Sequence, residues 1–485
     1  QRMYEIWEPE QAPNRGGDWD KVKAGGVPFD QDWEEWSYPI GNGYMGANLF
    51  GRVDTERIQI TEKTLHNKGI YNGGGLTSFA EVYLDFNHEN VTNYRRSLNL
   101  NEAIATVSYE MGGVNYSREY FMSCPDNVLV IKLSANKKGK VSFTLRPEIP
   151  YQDKSAETDK RTGEVVASQG LVTLSGNIPF FNLNYEAQVK VLNEGGKLAF
   201  DNDNGQGEIT VSKADSVILI LATGTNYRLS EDLFLKSDGQ KLDPEQFPHE
   251  DVSALIDQAD KKGFDALKSA HLKDYQNLFN RVAINLNSTV SPLPTHTLLE
   301  NYKAGQTDNY LEELMFQYAR YLLIASSREK SLPSALQGVW SQYHKTPWTG
   351  GYWHNINVQM NYWGAGSANL AECFEAYINY FKAYLPKAQK HARDFVEKRY
   401  PSRLAEGKGE NGWIIGTSAN AFNISGAGGG HSGPGTGGFT SKLLMEYYLF
   451  TQDKQFLEEV GYPGMLGMSK FFSKALQPHG DLLLV

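Results

Sequence analysis

Residues 251–279 read Asp251-Val-Ser-Ala-Leu-Ile-Asp-Gln-Ala-Asp-Lys-Lys-Gly-Phe-Asp-Ala-Leu-Lys-Ser-Ala-His-Leu-Lys-Asp-Tyr-Gln-Asn-Leu-Phe279. Here Ala254, Leu255, Ala259, Phe264, Leu267, Leu272, Tyr275, Leu278 and Phe279 recur at the spacing of a helix face. Upstream the period is different. Ile104-Ala-Thr-Val-Ser-Tyr109, Val128-Leu-Val-Ile-Lys-Leu133 and Val217-Ile-Leu-Ile-Leu221 are short apolar runs. They are punctuated by Gly112-Gly113, Pro125-Asp126-Asn127 and Gly195-Gly196, as in a large antiparallel β domain. Downstream the helical period persists. Leu311, Leu314, Met315, Tyr318 and Leu322 form one stripe; Leu370, Cys373, Phe374, Tyr377, Ile378 and Phe381 form another. Leu443, Leu444, Tyr447 and Tyr448, then Met465, Met468, Phe471 and Phe472, supply two more. The expected order is therefore a β domain over residues 1–250, a helical linker over 251–290 and a helical domain over 291–485. Residues 287–296 read as a Pro-broken loop.

The loops between the later helices are long and rich in Gly, Trp and Asn, which on a helical scaffold points to function. Paired helices with such loops suggest a toroid carrying a cleft. A closed toroid of six helical hairpins takes about twelve helices, and the periodicity after 290 supplies roughly six or seven. The expectation is that the barrel continues past Val485.

Composition narrows the function. Of 485 residues 40% are hydrophobic and 21% charged, ordinary globular usage. The net charge of −10, without a basic run, argues against a nucleic-acid partner. No apolar stretch approaches the roughly 18 residues of a membrane span. The two cysteines, Cys124 and Cys373, fall in different predicted domains and read as buried free thiols, not as a disulfide framework. No Asp/Glu/His grouping has metal-ligand spacing, and no cofactor is expected. Gln1 without a preceding Met fits either a mature exported chain, periplasmic or secreted, or a trimmed one.

The densest polar-aromatic stretch runs from Trp340 to Trp363, with four Trp, three Tyr, two His and three Asn. Rings that stack on C–H faces, beside amides that bond hydroxyls, are what a sugar site requires. Asn355 and Asn357, after Gly350-Gly351, are read as extended, so that both side chains point the same way. Two amide oxygens aimed at one point can hold and polarise a water; alternatively both amides tie down the loop backbone. His354 lies on the opposite side of such a segment, with a supporting role as open as substrate contact. His344 and His431 are candidates for a subsite or for solvated positions. The Gly-rich stretch 426–438 lacks the features of a phosphate loop and reads as a rim loop. Glu62, Glu372, Glu375 and Glu446 are the nearby acidic candidates.

Several segments together resemble glycoside hydrolase family 95. They are Ser37-Tyr-Pro-Ile-Gly-Asn-Gly-Tyr-Met-Gly-Ala-Asn-Leu-Phe-Gly51, Glu56-Arg-Ile-Gln-Ile-Thr-Glu-Lys-Thr-Leu65, Tyr94-Arg-Arg-Ser-Leu-Asn-Leu-Asn-Glu-Ala103, Tyr116-Ser-Arg-Glu-Tyr-Phe-Met-Ser-Cys-Pro-Asp126, His271-Leu-Lys-Asp-Tyr-Gln-Asn-Leu-Phe-Asn-Arg281, Leu336-Gln-Gly-Val-Trp340 and Asn355-Ile-Asn-Val-Gln-Met-Asn-Tyr-Trp363. The resemblance implies an N-terminal β-sandwich (supersandwich), a helical linker, an (α/α)6 barrel and a C-terminal β domain. It implies an inverting exo-glycosidase with α-L-fucosidase or α-L-galactosidase activity on an oligo- or polysaccharide; the alternatives are another (α/α)6 carbohydrate-active enzyme, a phosphorylase or lyase, and a non-catalytic glycan-binding protein. By the same resemblance Asn355 and Asn357 would activate the attacking water. Trp340, Trp348, Trp353, His354, Asn361 and Asn420 are the expected substrate contacts. The family's general-acid Glu follows a Pro-Ser-x-Ser-Pro-Glu pattern and its supporting Asp comes later; neither motif occurs in residues 1–485. Trp353 stands where other members often show Thr or His, and segments 417–422 and 433–439 replace ones that usually carry Asp and Trp. These departures surround the substrate pocket and bear on fucose against L-galactose.

Overall fold

The structure is a computed structural model and describes residues 2–15, 22–23, 27–28, 30–152, 160–428 and 433–484. A β-sandwich precedes a helical domain. One sheet orders nine strands as Glu5–Glu8, Thr92–Asn99, Ile104–Met111, Val114–Ser123, Val128–Ala135, Ser216–Thr225, Leu183–Glu194, Leu171–Ile178 and Thr162–Ser168. The other orders seven as Lys197–Asp201, Glu208–Ala214, Val141–Glu148, Ala80–Asp85, Thr55–Glu62, Met45–Leu49 and Tyr38–Gly41. All of these pairings are antiparallel. Gly112 and Gly113, at φ 57° and 69°, make the two-residue turn joining Met111 to Val114. Both central residues of such a turn need positive φ, which matches the twist of the flanking strands. Gly195-Gly196 instead carries the chain from one sheet to the other.

The continuous runs have a physical reason. Val128, Val130, Ile220 and Ala222 face away from the sandwich and are still buried, because helices cover that face. Helix α1 (His249–Lys262) and helix α2 (Phe264–Phe279) set Val252, Ile256, Ala259 and Leu267 against them. A strand buried on both faces reads as unbroken apolar sequence. Each fully buried Val, Ile or Leu among them stabilises by roughly 1.5–3 kcal/mol relative to exposure. Gly263, at φ 75°, breaks the linker into its two helices.

The helical domain begins with α3 (Thr295–Lys303) and α4 (Asn309–Ser326). Helices α5 (Asn357–Ser367), α6 (Glu375–Arg399), α7 (Gly435–Thr451) and α8 (Tyr462–Ala475) follow. The stripe from Leu370 to Phe381 is buried as expected, but only Tyr377, Ile378 and Phe381 lie on α6; Cys373 and Phe374 belong to the 3-10 turn Ala371–Phe374 before it, and Leu370 precedes that turn. The stripe on α4 is rotated: Met315 is exposed, while Glu313, Gln317 and Arg320 are buried. The polar side chains do the covering because α2 ends there. Arg320 donates to the carbonyls of Leu278 (3.0 Å) and Phe279 (2.7 Å) in the last turn of α2 and of Val282 (3.1 Å) just past it, where intrahelical bonding runs out. At the C-terminal end of α4, buried Lys63 donates to the carbonyls of Ser326 and Leu332.

The Gly-rich stretch is not a loop throughout. Gly435 to Gly438 form the first turn of α7, where a Cβ on Gly437 would lie 2.6 Å from the Met468 sulfur of α8. Glycine there permits close helix approach. His431 lies outside the described residues. Cys373 is buried as expected, whereas Cys124 is only partly so. Among the described residues no helix is long and apolar enough to cross a membrane.

Candidate active site

The alternation of Thr55–Glu62 builds the foundation. Ile58 and Ile60 face the sandwich core, while Arg57, Gln59 and Thr61 face outward and are nevertheless buried. What covers them is the segment after α4. Gln59 Nε2 donates to the Ser341 carbonyl (3.0 Å), as does Thr61 Oγ1 (2.9 Å), and Ser341 N returns a bond to Thr61 (3.0 Å). The strapping continues through Ser78 N to Tyr343 O (3.0 Å), Asn67 Nδ2 to His344 O (2.7 Å) and Thr346 Oγ1 to Leu76 O (2.6 Å). Trp340 belongs to this junction. It is 6% exposed and its indole N–H donates to Ile40 O at 2.9 Å, which anchors the two domains to each other. His344 likewise packs against Tyr151 at the junction, ring centroids 5.3 Å apart.

Beyond the strap the chain runs beside 417–419, with Tyr352 N bonded to Ala419 O and His354 N to Thr417 O, each 2.8 Å. Exposure alternates along it: Tyr352 and His354 are buried, Trp353 is partly exposed and Asn355 is exposed. His354 is therefore a support, not the substrate contact expected of it. Its Nδ1 donates to the Tyr352 carbonyl (2.8 Å), since a carbonyl only accepts. Nε2 then accepts from the Tyr377 hydroxyl (2.8 Å), which lies 3.1 Å from that of Tyr384. Burial lowers the His354 pKa to about 4, so the ring is neutral at pH 7.

The extended segment ends sooner than predicted. Residues 354–356 form a turn and Asn357 is the first residue of α5. Asn355 remains exposed and Asn357 partly exposed; neither side chain has a hydrogen-bonding partner among the described residues. They do not tie down the loop. Asn357 also sits at the positive end of α5, where backbone N–H groups favour negative charge. Asn361, one turn on, is held: its Nδ2 donates to the carbonyls of Ser334 (3.2 Å) and Ala335 (2.9 Å). Asn420 is 5% exposed and fully engaged, donating to Gly73 O and Gly74 O and accepting from Phe422 N and Asn423 N. It fixes a loop, with its polar atoms taken up by backbone partners. Trp348 and Trp353 do face solvent, and Tyr71 of the sandwich domain comes to lie against Trp353. Tyr71 escaped the sequence reading, although Asn72-Gly-Gly-Gly75 beside it signals an exposed turn.

The acidic candidates are placed elsewhere. Glu372 pairs with Arg281 (2.7 Å), Glu446 with Lys442 (3.5 Å), and Glu375 lies 3.4 Å from the Tyr447 hydroxyl. Glu62 is fully buried and accepts from Thr64 N and Oγ1. Burial raises its pKa to about 7. A folded chain that keeps a proton the unfolded chain has lost becomes less stable as pH rises from about 4.5 to 7. Glu62→Gln is expected to flatten that decline, read as the change in urea midpoint between about pH 5 and about pH 7.5. An unchanged pH dependence in the variant would show that Glu62 contributes nothing to it.

A cleft of about 590 Å³ lies at the junction of sandwich, linker and residues 328–331, lined by Tyr44, Cys124, Arg228 and Arg328 among others. None of the described candidate site residues lines it. Among the described residues no cluster of three or more His, Cys, Asp or Glu could hold a metal ion.

Comparison with known proteins fits both halves of the chain. Residues 263–485 match the glycosyl hydrolase family 95 catalytic domain, and residues 28–72 and 65–230 match the glycosyl hydrolase family 65 N-terminal domain. The chain is 29% identical over 517 residues to "Alpha-L-fucosidase 2" of Arabidopsis thaliana, covering 93% of this chain and 58% of that protein. It is 27% identical over 495 residues to "Probable alpha-fucosidase A" of Aspergillus niger, covering 91% and 59%. The chain thus spans a little under three fifths of these relatives. A solved structure named "Putative kojibiose phosphorylase from human microbiome" is similar in fold, with TM-score 0.57 and 9% identity over 99% of this chain and 60% of the other.

Proposed function

Because this chain belongs to glycoside hydrolase family 95, we propose that it releases terminal α-L-fucosyl or α-L-galactosyl residues from glycans with inversion at the anomeric carbon. The observation that carries the reading is the pair of unpartnered amides, Asn355 and Asn357, facing solvent at the start of α5. The names of the plant and fungal relatives add fucose as the first substrate to try.

Inversion places a water on one face of the sugar and a proton donor on the other. The two amide oxygens accept the hydrogens of the water and leave its lone pair directed at C1. An amide is a weak base but a good acceptor, so a carboxylate takes the proton in the end. The positive end of α5 favours the hydroxide character that develops as the C–O bond forms. Burial keeps His354 neutral and rigid behind the segment, so Asn355 is presented from a fixed backbone.

The test is product stereochemistry. Proton NMR during hydrolysis of an α-L-fucosyl oligosaccharide by the full-length protein, without phosphate, is expected to show β-L-fucose first. α-L-Fucose appearing first would overturn inversion, and turnover only with added phosphate would replace hydrolysis by phosphorolysis. Parallel assays on α-L-galactosyl substrates separate the two sugars, which differ by one hydroxyl at C6.

A further inference from the structure

Three aromatic rings from two domains stand together at the surface beside Asn355. Tyr71 (53% exposed) lies at the tip of the sandwich hairpin that pairs His66–Asn67 with Gly75–Leu76. Its ring meets that of Trp353 edge to face, centroids 6.1 Å apart. Trp348 (55% exposed) meets Trp353 in the same manner at 5.5 Å, and the Trp353 indole N–H donates to the Trp348 carbonyl (2.8 Å). Exposed rings on mobile loops would mean little, but these loops are fastened. Asn420 and Asn423 donate to Gly73 O, and Asn420 also to Gly74 O, so a barrel-domain loop grips the hairpin tip. Trp348 and Thr349 are held at φ 55° and 62°. Two successive left-handed residues that are not glycine cost of order 1–3 kcal/mol each, and such strain clusters where a side chain must be aimed.

We propose that Tyr71, Trp348 and Trp353 form a stacking platform for the sugar on the leaving-group side of the scissile bond, which gives the sandwich domain a part in selecting the glycan. This rests on the hydrolase reading above. Trp353 and Asn355 are two residues apart in sequence: Trp353 is partly exposed in the segment that runs beside 417–419, and Asn355 is exposed in the turn that follows it. A terminal sugar occupies the inner end of an exo-acting site, and the remaining glycan leaves across the rim. Tyr71 and Trp348 are the more exposed rings of the trio and each lies against Trp353, so that all three can meet one departing chain. A pyranose offers an apolar C–H face that a ring face can cover.

The experiment compares two substrates on the full-length protein. α-L-Fucosyl fluoride has no sugar on the leaving side; a fucosylated oligosaccharide does. Tyr71→Ala is expected to lower kcat/KM about tenfold for the oligosaccharide and to leave the fluoride unchanged, with Tyr71→Phe close to wild type on both. Equal losses on both substrates would move the platform to the fucosyl ring and overturn the assignment. No loss on either would remove Tyr71 from recognition. A wild-type protein inactive on both would sink the hydrolase reading itself, and the platform with it.

Discussion

Asn357→Ala is expected to lower turnover of a fucosyl substrate by about 10²–10⁴-fold, the range of a positioned group acting on a proton in the transition state. The fold should be untouched. Asn357 is partly exposed, makes no hydrogen bond among the described residues, and sits at the first position of α5, where alanine is acceptable. Substitutions at such positions usually shift stability by under about 0.5 kcal/mol. The thermal midpoint therefore separates a lost role from a lost structure. Asn355→Ala should behave alike, and the double variant should cost much less than the product of the two, because both amides hold one water. Unchanged kcat in a folded Asn357→Ala protein would end the proposal that these amides hold the nucleophile.

The sequence carried the order of the fold because that order is written in periodicity. Runs such as Val128–Leu133 and the stripe from Leu370 to Phe381 are consequences of burial, and burial is what apolar letters record. The face of α4 was misread for the same reason. Arg320 and Glu313 are buried by hydrogen bonding, which hydropathy does not register. The proposed site was legible in its exposed members. Asn355, Asn357, Trp348 and Trp353 all reach solvent, and their residue types alone suggested a sugar. Trp340, His354 and Asn420 have the same types and a different task, since each spends its polar atoms on backbone or a neighbouring side chain. Nothing local in the sequence separates a tryptophan that stacks on a sugar from one that closes a domain junction. Tyr71 was missed because its neighbour in space, Trp353, is 282 residues away along the chain.

Arg57→Met is expected to cost about 3–5 kcal/mol, the range seen when one member of a buried ion pair is removed. Arg57 is 4% exposed and binds Glu81 through Nε and an η nitrogen, both at 2.8 Å, while its other η nitrogen donates to Asp30 at 2.8 Å. Methionine fills much of the volume but leaves both carboxylates buried without their cation. Asp30 also caps the short helix Gln31–Trp36 through Trp33 N (3.0 Å), and Trp33 in turn bonds Gln59 (3.0 Å) and lies edge-on to Tyr343, ring centroids 5.9 Å apart. The loss therefore reaches the strap on which the site is built. A domain stable by roughly 5–15 kcal/mol would be left near the margin. The measurement is the urea midpoint at fixed m, with limited proteolysis to show whether residues 341–350 open first. Adding Glu81→Leu should recover part of the loss, because an apolar pair of similar size avoids stranding a charge. If Arg57→Met alone stays within about 1 kcal/mol of wild type, the buried charges do not hold the strap down, and its rigidity must come from the Gln59, Thr61 and Ser341 hydrogen bonds instead.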